Sequence, residues 1–419
     1  MIARTVRHVV TVTSHSVSKL WSWKASVVPV LFCAVGACSS DGGPSEAVHT
    51  SYDSAGVHMV SVPRIQMDVL DSGDVWRAVR RVRTGAALSG EEPLVYSPER
   101  VMVMPREEIV VLDVGETRLA VIASERDSVT ARFARNGRGP GEVLSSASVL
   151  APSTDTTFWL LDPGNSRLST FTLSGQLLDE TRVSLDGGGG MIMQDPTRFV
   201  PYLWRFYVVT TSRLLTDSVL KLDLATGRSG VVAPLPDRHP SRRGYGRAAP
   251  LLAPLPRFAP LGSGKVVVGR TDQSVFDVYS EDGELERRIA LAWEPIELTL
   301  AEKQRVLEST AAVGRPQPQR RREVADQLPM WGSIWPLSDD VFAVELSLYA
   351  RPRGAPDFMD GRKAWILLSS SGEYRGACLV PEGFGGPYWV ADGTITGLAR
   401  DSLGVATIAT YSTSDLVHR

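Results

Sequence analysis

One short phrase occurs twice in this chain, 49 residues apart, and this repetition constrains the possible folds more than any other feature. The first copy, LDVGETRL, runs from Leu112 to Leu119, and the second, LDPGNSRL, runs from Leu161 to Leu168. Between them lies a glycine- and proline-rich loop, GRGPGE, at positions 137–142. Repeats of about 40–50 residues with strand-like flanks are typical of folds built from small sheets. We therefore expect a repeated all-β architecture.

A second pattern counts the repeats. It consists of an apolar residue, turn-forming residues and then Gly or Asp, with alternating apolar residues beyond, which is typical of a β-hairpin. Its spacings lie between 43 and 56 residues, except for one of 89 residues. The sequence therefore predicts an all-β fold, a six-bladed β-propeller, with an insertion at about 295–330. The six copies end at Asp127, Gly175, Gly227, Gly283, Gly372 and Asp415.

The insertion contains a helical pattern. Thr299 and Glu302 have the spacing of a capping box, in which each side chain bonds the backbone N–H of the other residue. Apolar residues then recur at helical intervals, which predicts a short helix from about Leu300 to Ala312. A basic connector, GRPQPQRRR, follows and returns to the sheets near Trp331.

The two ends of the folded domain, residues 55–419, are predicted to meet. Only four residues follow Asp415, too few for the outermost strand of the last blade. The segment Gly56–Val62 has a strand-like composition and no other assignment. We therefore expect this N-terminal strand to close the propeller by pairing with the last blade, since an open edge promotes aggregation.

The first 37 residues have the pattern of a signal peptide. Residues 1–26 carry four Lys and Arg but no acidic residue, and an eleven-residue apolar run follows. A membrane-spanning helix needs about 20 apolar residues, so this run is too short to be one. It ends in VGAC, which resembles the lipobox of bacterial lipoproteins, and this resemblance implies lipid attachment at Cys38. The alternative is a plain secretion signal with a coincidental cysteine.

The expected location follows from this signal. Residues 38–54 are polar and rich in turn formers, which predicts a flexible tether between the membrane and the folded domain. The protein is then expected in the cell envelope, lipid-anchored on the extracytoplasmic side of a bacterial membrane, outer membrane or periplasm-facing. Its net charge of −2, without a concentrated basic face, argues against a nucleic-acid partner. We expect a monomer.

These motifs together resemble bacterial six-bladed β-propeller lipoproteins related to NHL-repeat proteins. The resemblance covers roughly residues 55–419 and rests on the repeated phrase, the loop at 137–143 and the segment FDVYSEDGEL at 276–285. It implies that the Asp and Arg residues of the repeat brace the turn between the middle strands, and that the loop carries the chain between blades. A ligand-binding role is the alternative. The residues concerned are Asp113, Arg118, Asp162, Arg167, Gly137, Gly139, Pro140 and Gly141.

No catalytic set or metal-ligand motif is recognisable in the sequence. No two histidines of the mature chain have metal-ligand spacing, and the serine-nucleophile motif Gly-x-Ser-x-Gly does not occur. A Ca²⁺ ion in the central channel stays open as an alternative, because its ligands would come from different blades and leave no local motif. Cys378 lies among apolar residues, which favours a buried small hydrophobe over a nucleophile.

One candidate ligand rim combines basic and aromatic residues. Arg320, Arg321 and Arg322 precede Trp331 and Trp335, and such a set suits an anionic or carbohydrate ligand. The alternative is a solvated connector followed by ordinary core tryptophans. The sequence thus favours a non-catalytic, membrane-anchored propeller that acts as a binding or scaffold module for a protein, peptide or glycan. A propeller hydrolase or lyase with a divalent metal in the channel is the competing hypothesis.

Overall fold

The structure is a computed structural model, and it describes part of the 419-residue chain. The described residues are 50–54, 57–62, 78–83, 95, 98–113, 118–123, 128–144, 149–165, 167–182, 198–200, 205–210, 218–223, 228–236, 252, 254–293, 295–312, 324–347, 363–391, 393–400 and 405–412.

Most of these residues form short β-strands. In chain order they are β1 (Thr50–Ser54), β2 (Val57–Val62), β3 (Ala78–Arg83), β4 (Pro98–Val103), β5 (Ile109–Asp113), β6 (Arg118–Ile122), β7 (Val129–Phe133), β8 (Val149–Pro152), β9 (Thr157–Asp162), β10 (Arg167–Thr172), β11 (Leu177–Arg182), β12 (Arg198–Val200), β13 (Arg205–Thr210), β14 (Ser218–Asp223), β15 (Arg228–Pro234), β16 (Pro256–Pro260), β17 (Val266–Arg270), β18 (Val275–Tyr279), β19 (Leu285–Leu291), β20 (Ile296–Glu297), β21 (Gln327–Leu328), β22 (Ile334–Pro336), β23 (Val341–Ser347), β24 (Lys363–Ser369), β25 (Tyr374–Leu379), β26 (Phe384–Ala391), β27 (Thr394–Arg400) and β28 (Ala406–Ser412).

Within the described residues, these strands form six sheets of four or more strands and one two-stranded ribbon, β20–β21. The first sheet is β4–β7, the second β8–β11, the third β12–β15, the fourth β16–β19, the fifth β22–β25 and the sixth β26–β28 with β3. In the first five sheets, neighbouring strands along the chain pair antiparallel. The hairpin β1–β2 extends the fourth sheet, because β2 pairs in parallel with β19.

Burial within a sheet follows from the position of each strand. All five residues of β5 are buried, whereas the outermost strand β7 alternates between partly buried and exposed residues. Inner strands are covered on both faces by neighbouring sheets, so they are apolar throughout. Outer strands have one face toward solvent, so their side chains alternate.

The sheets stack beside one another with their first strands adjacent, and apolar clusters of described residues lie between five of the six neighbouring pairs. Around the molecule, β26 contacts β4, β4 contacts β8, β8 contacts β12, β12 contacts β16, and β16 contacts β22. This arrangement of separate antiparallel sheets is that of a β-propeller. Representative cluster residues are Leu112 with Phe158, Val232 with Phe258, Phe276 with Phe342, Trp365 with Phe384, and Val82 with Val101.

The hairpin glycines explain the shorter sequence repeat. Gly175, Gly283 and Gly372 lie in turns between third and fourth strands, with φ of +92°, +88° and +86°. Each also touches an outer strand of the preceding sheet: a Cβ on Gly372 would lie 2.8 Å from Val60 Cβ, and one on Gly175 would lie 2.5 Å from Phe133 Cγ. Glycine is therefore required for backbone conformation and for close approach. The corresponding positions Asp127, Gly227 and Asp415 lie outside the described residues.

The prediction that Gly56–Val62 completes the last sheet is wrong. β3 (Ala78–Arg83) holds this position, paired antiparallel with β28, while β2 lies on the fourth sheet. Val82 is fully buried, and the Arg80 guanidinium donates to the carbonyls of Glu107 and Ala123 in the first sheet. An outer strand buries only one face, so the sequence AVRRVR satisfies the position although its arginines obscure the strand pattern.

The predicted tether also ends earlier than expected. Residues 50–54, which we assigned to it, form β1 and pair with β2 from Thr50↔Ser61 to Ser54↔Val57. The signal peptide 1–37 and the remaining tether residues, Cys38 included, lie outside the described residues.

The predicted helix in the insertion is confirmed: α1 spans Leu300–Ala312. The capping box has the expected bonds, since the Thr299 N–H donates to Glu302 Oε2 at 2.8 Å and the Glu302 N–H donates to Thr299 Oγ1 at 3.3 Å. The ribbon β20–β21 brings both ends of the insertion together. No helix among the described residues is long and apolar enough to cross a membrane.

Candidate functional site

The two ends of each sheet differ in the length of their loops. In a four-stranded meander, the first-to-second and third-to-fourth turns share one end, here called the turn end. Its turns are tight: the Leu261 N–H donates to the Lys265 carbonyl at 2.8 Å, and the Ser369 N–H donates to the Glu373 carbonyl at 2.9 Å. The turn ends of the fourth and fifth sheets also meet, because the Ser263 N–H donates to the Asp339 carbonyl at 3.0 Å.

The opposite end, here called the connection end, carries the second-to-third turns and the connections between sheets. The insertion leaves the fourth sheet here at the end of β19, and β23 ends here before β24 begins 16 positions later in the chain, at Lys363. Loops placed by a rigid sheet framework are where binding residues concentrate in proteins. The connection end is therefore the candidate functional site.

A buried polar residue at or near the end of the second strand recurs at this end. Asp113, Asp162, Thr271 and Glu345 are each at most 6% exposed. The last three of these residues hold the connection that enters their own sheet. Asp162 Oδ2 accepts from the Leu144 N–H at 2.9 Å, and Thr271 Oγ1 accepts from the Leu255 N–H at 3.0 Å. Glu345 holds its connection through its backbone carbonyl, which accepts a hydrogen bond from the Gly332 N–H at 2.7 Å.

The resemblance placed the repeat Asp and Arg at the turn between the middle strands, and the structure gives them a wider role. Asp162 does bond that turn, accepting from the Asn165 N–H at 3.2 Å, but it also holds Leu144 of the incoming connection. The Arg167 guanidinium donates to the carbonyls of Arg138 and Glu142 in the same connection. In the first sheet, Asp113 and Arg118 are register partners, and the Arg118 side chain is not among those described.

The Gly-Pro-Gly loop runs from the first sheet to the second and folds around its own carboxylate. Glu142 Oε2 accepts from the Gly139 N–H at 2.7 Å, and Glu142 Oε1 accepts from Arg135 Nε at 2.8 Å. A Cβ on Gly137 would lie 2.0 Å from Glu142 Oε2. The Gly139 hydrogen bond, followed by the Arg135 one, lowers the pKa of Glu142.

The second sheet holds this loop from the other side. The Gly141 N–H donates to Glu180 Oε1 at 3.3 Å, and Glu180 also pairs with Arg167 at 3.1 Å. Asn165 Nδ2 donates to the Gly137 carbonyl at 3.0 Å. Pro140 is exposed at the apex. These contacts make the loop a fixed joint between sheets. Sequence reasoning missed Glu180 and Asn165, because their partners lie on a loop 28–39 residues away.

A second polar group lies at the connection end of the fifth sheet. Glu345 Oε1 pairs with Lys363 Nζ at 3.1 Å, and Trp335 Nε1 donates to Glu345 Oε2 at 3.2 Å. The Glu345 side chain is 7% exposed, whereas that of Lys363 is 32% exposed. Lys363 directly follows the segment 348–362, so this pair places a partly exposed cation at the base of a long connection. The available sequence signal was a single acidic residue in the apolar strand VFAVELS.

Of the five residues of the candidate rim, the structure describes Trp331 and Trp335, and it places Trp331 in the core. Trp331 is 1% exposed, its ring centroid lies 5.0 Å from that of Phe276, and its Nε1 donates to the Gln273 carbonyl at 2.8 Å. It is therefore a core residue between the fourth and fifth sheets and does not line a surface. Trp335 is partly exposed on β22, and Arg320, Arg321 and Arg322 lie outside the described residues.

The base of the insertion is held at several points. Lys303 Nζ pairs with Asp326 at 2.5 Å, and Gln327 Nε2 donates to Glu297 at 2.7 Å. Beyond the ribbon, the Met330 N–H donates to the Thr271 carbonyl at 2.7 Å. The insertion is thus joined to the second-to-third turn of the fourth sheet.

The possible metal ligands in the described part of the chain are not clustered. There, no three or more His, Cys, Asp or Glu side chains are grouped so as to hold a metal ion. Cys378 is a buried thiol outside any disulfide, 1% exposed, in the cluster between the fifth and sixth sheets.

Comparison with known proteins gives similarity of fold at low sequence identity. No family model matches this sequence, and no curated protein matches it. A member of the DUF4221 family from Bacteroides vulgatus has a TM-score of 0.47 at 11% identity, with coverage of 80% of this chain and 97% of that chain. The PQQ-bound aldose sugar dehydrogenase from Streptomyces coelicolor gives 0.42 at 12% identity, with 82% and 99% covered.

A catalytically inactive virginiamycin B lyase from Staphylococcus aureus, with quinupristin, gives a TM-score of 0.39 at 9% identity, with 80% and 99% covered.

Proposed function

We propose that this chain is a lipid-anchored, extracytoplasmic, six-bladed β-propeller that acts as a binding or scaffold module for a protein, peptide or glycan. The connection end is its recognition surface. The anchor rests on the VGAC pattern at Cys38, and the binding role rests on the contrast between the two ends of the sheets.

The six-bladed, closed form is supported by the order of the sheets. Each of the six larger sheets supplies one blade, and the first strand of the sixth sheet contacts that of the first. Val82 and Ile408 of the sixth sheet share an apolar cluster with Val101 and Ile109 of the first. β3, a strand from the N-terminal part of the chain, then pairs with the last blade. Such pairing leaves no open strand edge in the ring of blades.

The contrast between the two ends is the observation that carries the binding role. Tight turns leave little at the turn end for a ligand to contact, whereas the insertion, with the ribbon β20–β21 and α1, starts from the connection end. Its described charged groups include fixed pairs, such as Arg270 with Asp272 at 2.6 Å and Lys363 with Glu345 at 3.1 Å. A surface fixed before binding loses less conformational entropy when a ligand binds.

The test is a loop replacement that preserves the sheets. Glu297 and Gln327 are register partners in the ribbon, so residues 298–326 can be replaced by the two-residue turn Asn-Gly. The purified mature protein, this variant and the turn-end control Asp155→Ala are compared on glycan and peptide arrays, with thermal melts to verify folding.

We expect the unmodified protein and Asp155→Ala to bind the same array members and the loop-replaced protein to lose them while staying folded. Equal binding by all three proteins would contradict the proposal. Turnover of ester, lactone or peptide substrates that depends on a bound divalent metal would favour the hydrolase or lyase hypothesis instead.

The anchor is tested separately. Changing Cys38→Ala in the full-length chain should abolish incorporation of radiolabelled fatty acid and release the protein from the membrane fraction. Labelling that persists in this variant would show that Cys38 is not the attachment site.

A further inference from the structure

We infer that the N-terminal hairpin β1–β2 fixes the tether at the connection end of the fourth sheet, so that the surface carrying the insertion faces the lipid bilayer. This inference deepens the proposed function and rests on its lipid anchor. It specifies which part of the propeller lies against the membrane.

The directions of β19, β2 and β1 show at which end of the fourth sheet the hairpin begins. β19 runs from its hairpin turn toward the connection end, and β2 pairs with it in parallel, from Arg287↔His58 to Leu291↔Val62. β1 runs the opposite way, with Thr50 opposite Ser61. Ser61 is in turn opposite Ala290, so Thr50 lies at the connection end.

The hairpin is held firmly enough to serve as a fixed point. Val60 is 6% exposed and packs against Gly372 of the fifth sheet. Across the hairpin, His58 Nδ1 and Asp53 Oδ1 lie 2.8 Å apart. Beside it, the Arg287 guanidinium donates to the Ser371 carbonyl. The hairpin therefore bridges the fourth and fifth sheets, and the chain before Thr50 leaves from this bridge.

The insertion leaves the sheets at nearly the same place. β19 ends at Leu291, and the chain continues through Trp293, which packs against the cluster between the fourth and fifth sheets. Two strand spacings, about 10 Å, separate β1 from β19. The tether and the insertion thus start close together on one side of the molecule.

The length of the tether limits how far this side lies from the membrane. Thr50 lies twelve positions after Cys38 in the chain. A flexible chain of that length spans about 19 Å on average, and about 40 Å when fully extended. The turn end lies farther by the length of a strand, about 20 Å. A ligand held on the same membrane would therefore meet the connection end at a higher effective concentration than the turn end.

The test measures which side of the anchored protein is near lipid. A fluorophore is attached at Leu300→Cys, an 86% exposed position at the start of α1, or at the control Asp155→Cys, 65% exposed at the turn end of the second sheet. Both are made in a Cys378→Ala background. The lipidated proteins are reconstituted into vesicles of phosphatidylethanolamine and phosphatidylglycerol that contain a headgroup-labelled acceptor lipid.

We expect energy transfer from position 300 to exceed that from position 155 at least twofold. In a Val60→Asp variant, which should release the hairpin, this difference should shrink. The matched variant Tyr52→Asp, at a 58% exposed position of the same hairpin, should keep it. Equal transfer from both labels, or stronger transfer from position 155, would overturn the inference.

A second format separates this inference from the anchor. A chain in which a hexahistidine tag replaces residues 1–38 is bound to vesicles that contain a nickel-chelating lipid, and the same labels are compared. If Cys38 carries no lipid, the proposed anchor fails, and this format still decides whether the hairpin orients the molecule. The same twofold difference would support the inference, and its absence would overturn it.

Discussion

Individual residues in this protein act mainly as joints between sheets. Glu142 accepts hydrogen bonds from the Gly139 N–H and the Arg135 guanidinium inside one loop, and Asp162 holds the same loop from the next sheet. Gly372 allows the N-terminal hairpin to approach the fifth sheet. At this scale, the described residues of the second copy of the repeated phrase hold the loop that joins the first and second sheets.

The lowered pKa of Glu142 predicts an acid-sensitive joint. Because the pKa falls on folding from its ordinary value of 4.5, the ionised carboxylate stabilises the protein above that pH. This stabilisation is lost as the pH falls toward and through the lower, folded-state pKa. Glu142→Gln should therefore lower Tm at pH 7, and its difference from the unmodified protein should narrow at pH 3. Calorimetry at both pH values measures this, with the exposed Glu382→Gln as control.

A difference for Glu142→Gln that stayed constant between these pH values would contradict the assigned role of the carboxylate.

Gly372→Ala should destabilise the protein by about 3 kcal/mol, since it adds left-handed backbone strain and overpacking against Val60. The matched control is Gly230→Ala on β15, where a Cβ would meet nothing within 4 Å. Urea unfolding midpoints of the two variants measure the difference. Similar losses in both variants would show that the turn tolerates a side chain.

Lys363→Met should destabilise the protein by roughly 2 kcal/mol, because it leaves the buried Glu345 carboxylate without its cation. This figure is reduced for the partial exposure of Lys363. Lys363→Arg and the double variant Lys363→Met/Glu345→Gln should each recover part of the loss in urea unfolding. A Lys363→Met protein as stable as the unmodified one would contradict a stabilising role for the pair.

The three N-terminal strands β1, β2 and β3 stabilise different sheets. β3 completes the sixth sheet and buries Val82 against the first, whereas β1 and β2 add to the edge of a fourth sheet that already has four strands. Removing β3 uncovers an apolar interface and an unpaired strand edge, which is a known route to aggregation. Removing β1 and β2 exposes mainly the outer strand β19.

Truncations at two positions distinguish the contribution of β1 and β2 to stability from that of β3. A chain that begins at residue 64 should remain a folded monomer with a lower Tm, whereas one that begins at residue 85 should aggregate. Size-exclusion chromatography and thermal melts of the two purified chains provide the measurement. Equal solubility and stability of both chains would contradict the assignment of β3 as the completing strand.

At the scale of the whole molecule, the connections are distributed unevenly. Tight turns occupy one end of the sheets, and both ends of the insertion and the start of the N-terminal hairpin occupy the other. The proposed recognition surface and the proposed membrane-facing side are therefore the same end of the molecule. The loop-replacement and energy-transfer experiments test these two properties independently.

Sequence patterns predicted the local features of this protein well. The helix Leu300–Ala312 and its capping box depend on residues within one turn, and the turn glycines Gly175, Gly283 and Gly372 depend on a backbone conformation that few other residues adopt. Alternation of apolar residues likewise reports strands directly, because side chains in a strand point to opposite faces.

The sequence by itself determined the strand-and-turn repeat, its length and the place of the insertion, since these depend on neighbours in the chain. Only the tertiary structure decided that β3 completes the sixth sheet, that Trp331 lies in the core beside a residue 58 positions away, and that Glu345 pairs with Lys363. These features depend on contacts between residues that lie far apart in the sequence and come together only when the sheets pack. For the repeated phrase, such contacts bind Asp162 and Arg167 to the loop between the first and second sheets.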